Sequence, residues 1–292
     1  MIRIIGTILG GLLGLACGSF LNVCLSRWPE GESVVAPRSH CRNCGRTLAW
    51  WENIPIVSWI TLRARCRTCT AQISWRYPSV ELGIGVLWSI VAWQSLGDSF
   101  EHLIVLANPY AAIAIVLLKL IFVWLLAALA ILDAEHLWLP NRLTFAGIGL
   151  GIIRGVVALV SAGGLFILNH GPLVAATYWL AGVILPAGLI LLIRWTYWLI
   201  RRREGIGLGD AKLMAMIGAW LGLSGALLSF AIGVGLGALF ALVLLAIPAA
   251  RRESNTWLAA KLPLGTFLCI GGIISTLWSQ PIIAAYLHWA GF

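Results

Sequence analysis

Long apolar stretches broken by short polar ones dominate this 292-residue chain. A bilayer core takes about 20 consecutive apolar residues per helix. Runs near that length fall at residues 4–25, 81–96, 110–132, 143–168, 173–200, 211–223, 226–249 and 264–280. The pattern predicts an all-α polytopic membrane protein of about eight transmembrane helices, although 211–249 also reads as one long kinked helix. One polar segment, 26–80, is far larger than the others. It divides the chain into a first helix (1–25), a polar module between helices 1 and 2 (26–80) and a transmembrane domain (81–292). No internal repeat is visible.

Composition agrees: 60% of residues are hydrophobic and only 11% charged. That excludes an ordinary soluble enzyme and a disordered chain alike. The net charge of +9 would suggest a nucleic-acid partner in a soluble protein, but the basic residues lie in loops. Eight arginines fall between Arg27 and Arg76, and Arg201, Arg202, Arg203 and Arg251, Arg252 flank later runs. By the positive-inside rule this places 26–80, 133–142, 201–210 and 250–263 in the cytoplasm, with both termini outside. The charges therefore read as topology signals, with membrane lipid and not nucleic acid as the partner. The first run lacks a small-x-small cleavage site before the polar segment and reads as a mature helix.

Four of the seven cysteines, Cys41, Cys44, Cys66 and Cys69, form two C-x2-C pairs within the polar module. Each pair presents two thiolates on one tight turn, and two such turns complete a tetrahedral S4 site for a structural zinc ion. Two disulfides or one redox pair are the alternatives, disfavoured by the reducing cytoplasm. Cys17, Cys24 and Cys269 lie in apolar runs and read as small buried hydrophobes.

Ionisable groups bordering membrane helices are functional candidates by default. Asp133 directly follows the run ending Ile131, Leu132, and Asp210 ends the segment Gly205, Ile206, Gly207, Leu208, Gly209 before an apolar helix. Singly, Asp133 reads as a solvated boundary residue and Asp210 as a helix N-cap. Together they lie at one depth and suit aspartyl proteolysis, in which one carboxylate takes a proton from water and the other polarises the scissile carbonyl. Gly207 and Gly209 would leave bare backbone for an extended peptide. The helix dipoles favour Asp210 as the ionised base and Asp133 as the acid, unless neighbours such as Lys212 outweigh them. Lys119 and Arg154 interrupt apolar runs and mark a possible polar cavity. A transporter built on these charges, or a zinc-bearing scaffold without catalysis, are the rival readings; the first predicts acids near mid-helix and the second leaves the aspartates unused.

Several segments together resemble the type IV prepilin peptidase family, membrane aspartyl proteases of GxGD type. They are Gly18–Val23 with Arg27 and Pro29, the paired C-x2-C module with Asn53, Ile54, Pro55, Ser58 and Trp59, and Tyr77, Pro78, Val80, Glu81, Leu82. To these add Asp133 with Leu139 and Pro140, the GxGD segment Gly207–Asp210, and Leu262–Leu268. The resemblance runs from about residue 16 to 272. It implies a bacterial inner-membrane enzyme that cuts the basic leader from type IV prepilins or type II secretion pseudopilins at the cytoplasmic face. It also implies methylation of the new amino terminus with S-adenosylmethionine. Asp133 and Asp210 carry over as catalytic, with Gly207, Gly209, Lys212 and Pro140 as supporting positions and the cysteines as a zinc site. Ala64, Thr266 and Asn141 stand where the family has a glycine, a proline and an acid. A peptidase without methyltransferase activity is the alternative at Ala64.

Overall fold

The computed structural model describes residues 2–97, 109–161, 172–202, 207–246 and 262–291. Parts of the predicted pattern lie outside them: the end of the 143–168 run, Arg203, Gly205, Ile206, residues 247–249 of the seventh run, and the Arg251, Arg252 pair. Within the described residues the chain is helical and contains no strand: α1 (Ile2–Arg27), α2 (Val57–Thr61), α3 (Arg76–Ser95), α4 (Pro109–His136), α5 (Asn141–Ser161), α6 (Pro172–Arg201), α7 (Leu208–Ala246) and α8 (Leu264–Trp289). Five of these, α1, α4, α6, α7 and α8, are long and apolar enough to cross a membrane. The chain forms two compact units, Met1–Val105 and Leu106–Phe292.

In the first unit α1 and α3 run antiparallel along a seam of small residues. A Cβ on Gly10, Gly14 or Gly18 would come within 2.9 Å of Ala92 Cβ, 2.9 Å of Gly85 Cα and 2.7 Å of Glu81 Cα. Between apolar helices such small residues let the backbones approach and gain dispersion contacts that bulkier side chains would block. The polar module is fastened to this helix pair by polar groups. The buried Arg27 donates to the carbonyls of Ser33 (2.8 Å) and Pro37 (2.7 Å). Asn22 donates to the Tyr77 carbonyl at 2.9 Å. Glu81 Oε2 accepts the Ile56 N–H at 2.7 Å. That last bond holds an isoleucine at φ 60°, ψ −50°, the rarer hand of γ-turn, closed by Val57 N–H and the Pro55 carbonyl. A β-branched residue persists in that strained conformation only where neighbouring bonds over-determine it.

The second unit settles the ambiguity at 211–249. Leu208–Ala246 is helical on both sides of Gly222 (φ 69°, ψ −174°), which breaks the helix. Contacts along α8 reveal the direction of each arm. The first arm places Ile217 beside Gly272, deeper than the level where Gly209 and Gly265 share Leu139. The second arm starts deep, with Ser275 Oγ donating to the Gly225 carbonyl at 2.9 Å. It then climbs back, Gly233 facing Leu268 and Gly237 facing Phe267. The two predicted runs are therefore antiparallel arms joined by a one-residue reversal.

A break of this kind strips the last carbonyls of the first arm of their helical partners. Trp179 Nε1 caps the Ala219 carbonyl at 3.2 Å, and Arg154 Nη1 caps that of Trp220 at 2.8 Å. The Trp220 ring stacks on Phe122 (centroids 4.4 Å apart) and donates to the Gly147 carbonyl at 2.7 Å. The intramembrane charge at Arg154 thus has a structural task. Gly222 lies in a backbone region that is essentially glycine-only, with open space where a Cβ would stand. Gly222→Ala is expected to lower stability by about 1–3 kcal/mol from backbone strain alone. Gly235→Ala, also facing open space but helical, serves as the control and is expected to be neutral or mildly stabilising. Thermal unfolding in detergent micelles checks the pair.

Candidate active site and metal centre

Four helix ends meet at one end of the second unit. Helix α4 continues past Asp133 to His136 and stops at Leu137, whose φ of 51° turns the chain while its N–H bonds the Asp133 carbonyl at 2.9 Å. Asp133 therefore lies in the last helical turn and not in the loop beyond it. Helix α7 begins at Leu208, two residues before Asp210. Asp210 is thus not the N-cap; its Oδ2 reaches back to accept the Gly207 N–H at 3.2 Å, half of a capping box.

Both carboxylates are buried, at 6% and 8% exposure. Leu139 is wedged between their supports: a Cβ on Gly209 would lie 3.2 Å from it, and one on Gly265 2.9 Å from both Leu139 Cδ1 and Asp133 Oδ2. Gly209 accordingly makes room for Leu139, whereas a Cβ on Gly207 would meet nothing closer than Asp210 Oδ2 at 3.5 Å.

The other supporting positions hold the entrance to α5. The Pro140 carbonyl accepts the N–H groups of Leu143 (3.1 Å) and Thr144 (3.2 Å). Lys212 Nζ donates to Asn141 Oδ1 at 2.8 Å and lies 5.5 Å from the Phe145 ring. Lys212 thus ties α7 to α5. Thr266 was not singled out as a site residue by motif or spacing, yet its N–H (2.7 Å) and hydroxyl (3.2 Å) both reach Asp133 Oδ2. A fold-level juxtaposition of α8 with α4 produces that contact, and no local sequence signal announces it.

In the first unit the two cysteine pairs form matching turns. Cys41 N–H bonds the Arg46 carbonyl (2.9 Å) and Gly45 N–H the Cys41 carbonyl (2.8 Å); Cys66 and Thr70 repeat both bonds with Ala71 and Cys66 at 2.8 and 3.0 Å. Gly45 and Thr70 occupy the same left-handed position, at φ 69° and 56°. The four Sγ atoms lie within 4.8 Å of one another. Cys41 Sγ and Cys69 Sγ are 3.8 Å apart. That is about the edge of a tetrahedron with Zn–S bonds of about 2.3 Å, and far beyond a disulfide's length of about 2.05 Å. Backbone N–H groups of Cys69 and Thr68 hold the Cys66 thiol down to about 6, whereas burial and hydrogen bonds with the neighbouring thiols push Cys44 up to about 11. Glu52 braces the first turn: its carboxylate accepts from Arg46 (2.7 Å) and from the Ala49 N–H (2.8 Å). The Arg46 guanidinium holds Glu52 below the usual carboxylate range.

Ala64 sits at φ 56°, next to Arg63 at 51°. Left-handed residues with a Cβ carry roughly 1–2 kcal/mol of strain, part of which a glycine offsets by its own chain entropy. Ala64→Gly is expected to stabilise the module by about 0.5–1 kcal/mol. Hydrogen exchange across residues 59–73 should slow accordingly.

Fold and site together define a class: a helical multi-pass membrane protein with two buried carboxylates at one end of its larger unit and a four-thiol centre in its smaller one. The model described as the type IV leader peptidase family matches residues 120–242, which hold both aspartates. That described as the bacterial peptidase A24 N-terminal domain matches 12–95, which hold the four cysteines. The prepilin leader peptidase/N-methyltransferase of Pseudomonas putida is 33% identical over 306 aligned positions, covering 97% of this chain and 94% of the relative. That of Pseudomonas aeruginosa is 33% identical, covering 96% and 93%. The type 4 prepilin-like proteins leader peptide-processing enzyme of Escherichia coli O78:H11 is 30% identical, covering 92% of each chain. The chain belongs to the type IV leader peptidase family. No solved structure matches it.

Proposed function

We propose that this protein removes the leader peptide from type IV prepilins or type II secretion pseudopilins at the cytoplasmic face of the inner membrane, with Asp133 and Asp210 as the catalytic pair. The observation that carries the reading is a buried carboxylate in the terminal turn of each of α4 and α7, with Leu139 packed against the glycines beside both. In the reaction one carboxylate removes a proton from a water that attacks the scissile carbonyl carbon. The other gives its proton to the carbonyl oxygen; the first carboxyl then passes its proton to the scissile nitrogen as the second regains one from the gem-diol, and the C–N bond breaks to release the amine of the mature chain. The open backbone at Gly207 lets an extended substrate approach Asp210. The rival transporter reading needs acids near mid-membrane, whereas both aspartates occupy terminal turns.

The relatives' names also support N-methylation of the new amino terminus, for which the resemblance implies S-adenosylmethionine as donor. Cys41, Cys44, Cys66 and Cys69 fit a zinc ion, which would supply folding energy to the module.

Intact-mass measurement of a prepilin incubated with the purified protein and S-adenosylmethionine tests both activities. Loss of the leader with gain of one methyl group supports both. Cleavage without the methyl mass supports the peptidase alone, and an intact prepilin with a folded enzyme overturns the reading.

A further inference from the structure

Thr266 stands in the first turn of α8, and its hydroxyl lies between two oxygen atoms of α4. Oγ1 is 3.2 Å from Asp133 Oδ2 and 3.0 Å from the Ala130 carbonyl oxygen. The Thr266 N–H independently donates to the same Oδ2 at 2.7 Å. A hydroxyl carries one proton to donate and lone pairs with which to accept, whereas the Ala130 carbonyl only accepts. Two arrangements satisfy every group. When Asp133 is ionised, the hydroxyl turns its proton to Oδ2. When Asp133 is protonated on Oδ2, its O–H donates to Oγ1 and the hydroxyl turns its proton to Ala130.

Resting on the reading that Asp133 is one of the two reacting carboxylates, we propose that Thr266 is a positioning residue for it. The backbone N–H fixes the carboxylate's orientation, and the hydroxyl trades its proton between the Ala130 carbonyl and Oδ2 as Asp133 loses and regains the proton during turnover. Whichever part Asp133 plays first, an aspartyl protease requires it to change protonation state once and return within each cycle. At a site this buried, water is a poor substitute partner, and a carboxyl group without one leaves a polar atom unsatisfied. Thr266 keeps Asp133 hydrogen-bonded in both states without moving a heavy atom.

The test compares Thr266→Val, which keeps shape and backbone N–H but removes the hydroxyl, with Thr266→Ser, which keeps the hydroxyl. For Thr266→Val kcat is expected to fall about ten- to a hundredfold, the range for losing a hydrogen bond to a charged group, with KM within about twofold. Thr266→Ser should recover most of that loss. The infrared C=O stretch of protonated Asp133 should rise in Thr266→Val, because the acid has lost its acceptor. Thr266→Ala adds no bulk and carries the same comparison should the valine variant not fold. Equal activity with and without the hydroxyl overturns the proposal, as does a loss in which valine and serine fall alike. Asp133→Asn in parallel separates the two levels. Retained cleavage there overturns the parent reading and this proposal together; abolished cleavage there beside an unimpaired Thr266→Val overturns the proposal alone.

Discussion

Asparagine in place of Asp133 or of Asp210 is expected to reduce leader cleavage by about 10²–10⁴-fold or more, the usual worth of a positioned general acid or base. The amide keeps the carboxylate's shape but neither takes nor gives a proton in this chemistry. The fold should survive, because the donors facing each carboxylate can be met by an amide oxygen: the Thr266 N–H and hydroxyl at Asp133 and the Gly207 N–H at Asp210. Replacing an ionisable carboxyl by a neutral amide also lowers the cost of holding charge at this buried site, so the melting temperature is expected to hold or rise. Two carboxylates acting as a unit make the double variant Asp133→Asn, Asp210→Asn no slower than either single one. The check is initial cleavage rate against a prepilin, with circular dichroism on each variant. Near wild-type cleavage by either single variant would remove that residue from the catalytic pair.

Much of this site was legible in the chain because membrane spans simplify the reading. Few carboxylates border apolar runs, so Asp133 and Asp210 stood out by position alone. The C-x2-C spacing likewise pointed to one four-thiol centre, and the Sγ atoms do converge. What escaped was local geometry that tertiary contacts decide. Asp210 looked like an N-cap because glycines precede it, yet the helix starts earlier and the carboxylate bonds backwards to Gly207. Asp133 looked like a loop residue because polar positions follow it, yet α4 runs on to His136. Helix ends are set by which residue first adopts a non-helical φ, here Leu137, and hydropathy carries no information about that.

The reversal at Gly222 shows the same boundary from the other side. Two apolar runs separated by two residues fit either a kinked rod or a hairpin, and the sequence 222–225, Gly-Leu-Ser-Gly, contains no charge to favour a surface loop. The partners decide. Arg154 and Trp179 cap carbonyls that a continuous helix would have bonded itself, and α8 contacts the two arms in opposite order. An arginine inside an apolar run therefore signalled a backbone break elsewhere in the fold, and only the structure joins the two.

Loss of the zinc ion proposed for the four cysteines is expected to have the largest effect on stability, confined to the polar module. Residues 28–75 contain few buried side chains, among them Cys66 and Glu52, while Trp50, Trp75 and Val35 are largely exposed. A segment with so little apolar burial does not offset its chain entropy unaided. A zinc ion held by the four converging thiols would supply the missing term, since structural zinc contributes about 10–16 kcal/mol apparent in small domains. Chelation, or Cys66→Ser, should drop zinc from one ion per chain toward none and open the module to hydrogen exchange and proteolysis. The strained positions should go first. Ala64 and Thr70 adopt positive φ without being glycine, and each is held there by bonds inside the folded module. Released from those bonds they relax to ordinary backbone, so the strain that folding imposes becomes a driving force for opening once the metal is gone. A metal-free protein whose module stays protected would show that Glu81 and Arg27 hold it to α3 and α1 without zinc. Zinc would then be dispensable for the fold of this region.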